Sequence, residues 1–283
     1  MQQVYFQKSV NVVNAIYLQC MKNSNAWVLA TIPIRWRTFS KQSDSPEWSL
    51  QIINRTGPEP IKRMVEDLFG NLSTQVSETT RKEADSDLVL LLRDGEVVGS
   101  SSLSTLRDTL LLVNSDYYRD GPADLGNLNV PDVILELSDT LFTLEGYPDS
   151  NTEKLVLTLI SRYIEQRAWK HETGSLQTSF QSLSLLYNER ATREVYRQLG
   201  QISDLAVDVY GVPDREPPEL PGVTVHETTD DEIKQYWFVV HQIEDESSVA
   251  LLARQTGPTE WDGFWTFDTD RVRILNRYIQ RTL

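Results

Sequence analysis

Residues 150–199, SNTEKLVLTLISRYIEQRAWKHETGSLQTSFQSLSLLYNERATREVYRQL, decide the fold. Leu155, Val156, Leu159, Ile160, Tyr163 and Ile164 recur at helical spacing, which predicts an amphipathic helix from Ser150 to Trp169 or His171. Ser150 and Glu153 stand at capping-box spacing, in which two side chains satisfy two otherwise unpaired backbone N–H groups. Gly174 is the expected stop. Leu176–Tyr187 is apolar at Leu176, Phe180, Leu183 and Leu186, compatible with a helix or with an extended pass across its neighbour. Ala191–Leu199 places Val195, Tyr196 and Leu199 on one side of a further helix.

Outward from this stretch the period changes. Leu205–Val212 alternates as a strand does, Val223–His226 is a shorter one, and Gln235–His241 and Val249–Ala253 are apolar runs of β length. Pro213–Pro221 reads as a loop, because proline cannot serve a central ladder. Thr269–Gln280 closes the chain as a helix with Val272, Leu275 and Ile279 inward. Upstream, Pro58–Phe69 is a short amphipathic helix entered through prolines. Leu88–Ser102 is a hairpin whose Asp94-Gly95 supplies the positive φ angles of a type I′ turn. Ser104–Val113 is a helix, and Pro131–Thr143 a short helix followed by an extended segment. The pattern predicts an α/β protein of the α+β kind: a mixed sheet with flanking helices, two subdomains and a C-terminal helix.

Length allows one large domain or two modest ones. We read residues 51–149 as an N-terminal α/β subdomain and 150–283 as a C-terminal one. Residues 1–50 are foreign in composition, with five basic and two acidic residues where the whole chain carries a net charge of −14. They also hold Cys20, two of the three methionines, and Trp27, Trp36 and Trp48. The expectation is a poorly ordered extension, with the globular protein starting near Gln51; an edge element packed on the core is the alternative.

Beyond residue 50 the only lysines are Lys62, Lys82, Lys154, Lys170 and Lys234, amid abundant carboxylates. Such a surface repels itself in dilute buffer, and at about 1 M salt the screening length falls to roughly 3 Å. A salt-rich cytoplasm suits it, and an ordinary acidic cytosolic protein is the plainer reading. No stretch approaches the roughly 20 apolar residues of a membrane span, so no membrane association is expected. The single cysteine excludes an internal disulfide and a cysteine-based zinc site.

Catalytic patterns are absent. The sequence has no phosphate-binding Gly-x4-Gly-Lys-Ser/Thr and no Gly-x-Gly-x-x-Gly. His171, His226 and His241 lack metal-ligand spacing, so no metal or other cofactor is expected. Gly99-Ser100-Ser101-Ser102 lacks the positioned base and elbow of a serine nucleophile, and reads as a strand end leading into a helix cap. Asp230-Asp231 and Glu244-Asp245-Glu246 read as solvated turns. Nucleic acid is disfavoured by charge, and the arginines at 190, 193 and 197 and at 271, 273, 277 and 281 have acidic neighbours for intrahelical pairing.

What remains is a dense aromatic set: Trp169, Phe180, Tyr210, Tyr236, Trp237, Phe238, Trp261, Phe264, Trp265 and Phe267. Core packing is the ordinary use of such rings. The functional alternative is a ligand pocket, for which Trp169, Phe180, Gln181, Tyr210, Trp237 and Trp265 are the candidate residues.

Several fragments in order carry a family resemblance. They are Arg167-Ala168-Trp169, Gly174-x-Leu176-x3-Phe180-Gln181-x-Leu183-Ser184, Tyr196-x2-Leu199, Val209-Tyr210-Gly211-Val212-Pro213-Asp214, Val223-Thr224-Val225-His226, Trp237-Phe238-Val239-Val240, Ala250-Leu251-Leu252-Ala253 and Gly263-Phe264-Trp265-Thr266-Phe267-Asp268. Together they resemble DICT sensory-domain proteins of halophilic archaea, closely over residues 150–283 and more loosely back to about residue 58. The resemblance implies a cytoplasmic sensory or signal-transduction domain of a family linked to two-component and diguanylate-cyclase systems and to light responses. It brings no catalytic residues. The expectation is therefore a non-enzymatic sensory module that binds an unknown small ligand or a signalling protein. The alternatives are a small-molecule enzyme of unknown reaction and a transcriptional regulator.

Overall fold

The computed structural model describes residues 47–116, 126, 128–145, 152–214, 219–229, 231–244 and 248–283. It is a mixed α/β structure with two sheets. The first has the order β2-β1-β3-β4. Strand β1 (Trp48–Ile53) turns Trp48, Leu50 and Ile52 into the core. It pairs parallel with β2 (Gln75–Thr79), Leu50 opposite Val76, after a crossover through helix α1 (Glu59–Asn71). On its other side it pairs antiparallel with β3 (Leu88–Arg93), which forms a hairpin with β4 (Glu96–Ser102). Asp94 and Gly95 have φ of 52° and 85°, as the type I′ turn requires.

Strand β1 begins inside the block that composition set apart, three residues before Gln51. Alternation of Trp48, Leu50 and Ile52 is the relevant signal there, and overall composition is blind to it. The expected extension, residues 1–46, lies outside the described residues, as do Ser150 and the side chain of Glu153.

The second sheet has seven strands, in the order β5-β11-β10-β9-β6-β7-β8. They are β5 (Phe142–Glu145), β6 (Thr173–Ser182), β7 (Asp204–Val212), β8 (Val223–Glu227), β9 (Tyr236–Gln242), β10 (Val249–Gly257) and β11 (Glu260–Thr266). Strands β6, β7 and β8 run parallel to one another, and the remaining pairs are antiparallel. Strand β5 precedes residue 150 and pairs with β11, Leu144 opposite Trp261, so both parts of the chain supply this sheet. The sequence reading did not anticipate β2 or β11. In β11 the rings alternate, with Trp261 and Trp265 entering the main core and Phe264 packing on the other face.

Helix α2 (Leu103–Asp116) follows β4, and a single turn, α3 (Asp132–Leu135), precedes β5. Helix α4 (Thr152–His171) covers one face of the large sheet, against β6, β9 and β10, and also touches α2. The segment between β6 and β7 holds both alternatives left open at Leu176–Tyr187: β6 is extended, and helix α5 (Leu183–Asn188) follows it. Helix α6 (Arg190–Leu199) completes that crossover. Helix α7 (Thr269–Thr282) packs on the opposite face, with Val272, Leu275 and Ile279 against Phe238, Val240 and Leu252. Its N-cap, Asp268, accepts hydrogen bonds from the backbone N–H groups of Asp270 and Arg271, each at 3.0 Å. Three of the arginines singled out above are paired: Arg197 with Glu194, Arg273 with Asp270 and Arg271 with Asp139.

Helix α4 ends before Gly174. Glu172 takes the left-handed conformation at φ 56°, while Gly174 already belongs to β6. The glycine is needed for closeness, since a Cβ there would stand 2.2 Å from the carbonyl oxygen of Gln242.

His241 on β9 is fully buried and bonds through Nε2 to the Thr173 carbonyl at 3.1 Å. Burial lowers its pKa from 6.5 to about 4, and the nearby His171 and Arg167 push the same way, against the Thr173 bond. Below pH 6.5 the unfolded chain therefore takes up a proton that the folded state refuses, so acid destabilises the fold until the folded histidine itself titrates near pH 4. The expected contribution of His241 is a loss of about 2 kcal/mol between pH 7 and pH 5. Urea titrations at the two pH values should show that loss in the native chain and a smaller one in His241→Gln.

Candidate functional site

Helix α4 is buried nearly all round its middle turns. Its apolar residues Val156, Leu159 and Ile160 enter the core, and Thr158, Ser161, Arg162, Glu165 and Gln166 are buried as well. The crossover helices α5 and α6 pass over this polar stripe and remove it from water. Buried charge is costly unless paired and hydrogen-bonded, and this stripe meets that condition. Arg162 Nη1 donates to Glu165 Oε2 at 2.7 Å, and Nη2 donates to Thr192 Oγ1 at 2.8 Å. Thr192 donates onward to Glu189 Oε2 at 3.0 Å. The Tyr196 hydroxyl bridges Glu165 Oε1 at 3.0 Å and Thr178 Oγ1 at 2.7 Å. Burial, followed by the Glu165 carboxylate, raises the Tyr196 phenol well above its ordinary pKa, so it stays protonated. Gln166 reaches the Leu128 carbonyl at 2.8 Å.

Beside this network lies a cavity of about 120 Å³. Its walls come from α4 (Lys154, Thr158, Ser161, Arg162, Glu165), β6 (Thr178, Ser179, Phe180, Gln181), β9 (Trp237, Val239) and the crossover (Leu185, Glu189, Thr192). The Trp237 indole N–H donates to Ser161 Oγ at 2.9 Å, which fixes the ring against α4, and its edge meets Trp261 at 5.9 Å. Phe180 packs edge-on against Tyr196 at 5.3 Å. Ser179 ties two strands, accepting from Phe238 N at 2.8 Å and donating to the Tyr236 carbonyl at 3.1 Å. Gln181 donates to the Lys234 carbonyl.

Of the six candidate residues, Phe180, Gln181 and Trp237 line this cavity. The other three lie elsewhere. Trp169 sits at the far end of α4, 36% exposed. Trp265 is 1% exposed in the core against Phe142, with ring centroids 5.6 Å apart. Tyr210 lies on the opposite face of the sheet, stacked on His226 at 4.5 Å and 9°, while His226 Nε2 meets Asp208 Oδ1 at 2.7 Å. Burial, then Asp208, raises the Tyr210 phenol to about 12. The sequence reading missed Arg162, Glu165, Thr178, Glu189, Thr192 and Tyr196. Their signal was present: Thr158, Ser161, Arg162 and Glu165 fall at i, i+3, i+4 and i+7, one stripe of α4.

Among the described residues no group of three or more His, Cys, Asp or Glu side chains is placed to hold a metal ion. None of their helices is long and apolar enough to cross a membrane. No curated protein matches the chain. The crystal structure of a polyphosphate kinase from Porphyromonas gingivalis is similar at 10% identity and a TM-score of 0.28, over 83% of this chain. The chain spans 45% of that protein, and a likeness so low bears on neither fold nor function. The residues from α3 through most of β10, which include the whole cavity lining, fall within a family match: residues 132–256 match DICT, described as a sensory domain in diguanylate cyclases and two-component systems.

Proposed function

We propose that the chain is a non-catalytic sensory module that takes a small ligand into the cavity between α4, β6, β9 and the α5–α6 crossover. The observation that carries this reading is the cavity itself, which lies inside the DICT match and is walled by a hydrogen-bonded polar network together with Phe180, Leu185, Trp237 and Val239. The cavity is more polar than the aromatic pocket read from sequence, yet most of its polar groups are held by one another. Tyr196 is kept protonated, Arg162 is held by Glu165 and Thr192, and Ser179 is fixed by both of its strand contacts. Such groups shape and orient a ligand, whereas a nucleophile or base must be within reach of a reacting atom. Output passes to a signalling partner, in the setting that the family description names, a two-component or diguanylate-cyclase system. The acidic surface fits a salt-rich cytoplasm as the place of action.

Native mass spectrometry of the full chain tests this reading. A small molecule is expected to co-purify, to be lost from Trp237→Ala, and to be kept by Tyr210→Phe, whose ring lies on the opposite face. Retention by Trp237→Ala, or conversion of the bound molecule to product, would overturn it.

A further inference from the structure

The charges of the cavity narrow the class of ligand, on the reading that the cavity is a ligand site. Four charged residues line it, Lys154, Arg162, Glu165 and Glu189, and their formal charges cancel. Arg162 and Glu165 form a closed ion pair at 2.7 Å, with side chains only 9% and 4% exposed. Lys154 and Glu189 are the other two. They come from different elements, Lys154 from the first turn of α4 and Glu189 from the residue ahead of α6. Both face the same cavity, yet among the described residues neither forms an ion pair with the other or with any other group. An ammonium and a carboxylate that line one cavity without pairing with each other are complementary to a molecule carrying both opposite charges. Lys154 is half-buried and Glu189 exposed at the cavity's edge, so a ligand with a single charge would meet one of them and leave the other without a counter-charge at the site.

Size and the apolar wall add to this. At roughly 10–15 Å³ per water-sized probe, a 120 Å³ space takes a ligand of about ten non-hydrogen atoms. Phe180, Leu185 and Trp237 supply an apolar part of the lining for a ligand side chain, and aromatic rings in the same lining also favour an ammonium group. We infer that the cavity binds a small zwitterion of the α-amino-acid class with an apolar side chain, its ammonium toward Glu189 and its carboxylate toward Lys154.

Calorimetric titration of the full chain with L-leucine and L-phenylalanine tests this, with phenethylamine and 3-phenylpropionate as single-charge analogues. At least one amino acid is expected to bind about tenfold or more tightly than either analogue. Glu189→Gln and Lys154→Gln should each weaken it about tenfold, and Glu189→Gln should bring 3-phenylpropionate level with the amino acid. Circular dichroism and melting confirm that both variants are folded. An analogue that binds as tightly as the amino acids, with amide shifts at Thr178 and Val239, would overturn the ligand class while leaving the cavity as a site. If none of the four probes binds, the zwitterion assignment falls, and a molecule retained in native mass spectrometry and lost from Trp237→Ala still upholds the cavity as a ligand site.

Discussion

Arg162→Ala is expected to destabilise the chain by about 3–5 kcal/mol, because removing one partner of a buried pair leaves the other charge uncompensated. Glu165, 3% exposed, would keep the Tyr196 hydroxyl but lose its guanidinium, and Thr192 would lose a donor. Urea denaturation measures the loss directly, and a melt should fall by about 10 °C at a few degrees per kcal/mol. The double variant Arg162→Met with Glu165→Met separates charge from packing. It removes both ions and fills comparable volume, and should recover most of the stability. A cost for Arg162→Ala under about 1 kcal/mol would mean that the pair behaves as a solvated surface bridge.

Gly174→Ala is the second large effect. The new methyl group would stand 2.2 Å from the Gln242 carbonyl oxygen and 3.2 Å from its carbon, in a backbone with φ of 93°. Relief requires β6 to move away from β9, and that pair of strands carries Thr178, Phe180, Trp237 and Val239 of the cavity. The expected loss is about 3 kcal/mol or more, with ligand retention lost alongside. Gly95→Ala is the control, since that glycine also has positive φ, 85°, but nothing within 4 Å of an added Cβ. It should cost only about 1 kcal/mol. Equal losses at the two positions would show that backbone conformation alone decides, and that the close approach to Gln242 is immaterial.

Elements with strong periodicity or turn chemistry were legible before the structure. The hairpin at Asp94-Gly95, α4, α6, β7 and α7 all carry local signals in which each residue's preference agrees with its neighbours', whereas β6 and α5 were left open between helix and strand. Strand β11 was not legible, because its Trp and Phe residues suit a core and a pocket equally and Gly263 interrupts the run. The site was half legible for a related reason. Aromatic residues announce themselves by type, so Phe180 and Trp237, which line the cavity, were among the candidates, but type does not say which face of a strand a ring occupies. Tyr210 therefore lies on the face of the sheet away from the cavity, and Trp265 lies in the core. Arg162 and Glu165 were hidden for the opposite reason. On an isolated helix their stripe is a solvent face, and only the later passage of α5 and α6 makes it interior.

The strand order of the large sheet also sets when this pocket can exist. Thr178 lies opposite Val239, about sixty residues further along the chain, and β5 waits for β11 across a still longer gap. A ribosome emitting this protein releases one wall of the cavity well before the wall contributed by β9. Until β9 is out, the cavity beside Arg162 and Glu165 lacks the wall that Trp237 and Val239 supply. Pairings so distant in sequence make folding slow, so the cavity forms late, with the long-range strand pairs that enclose it.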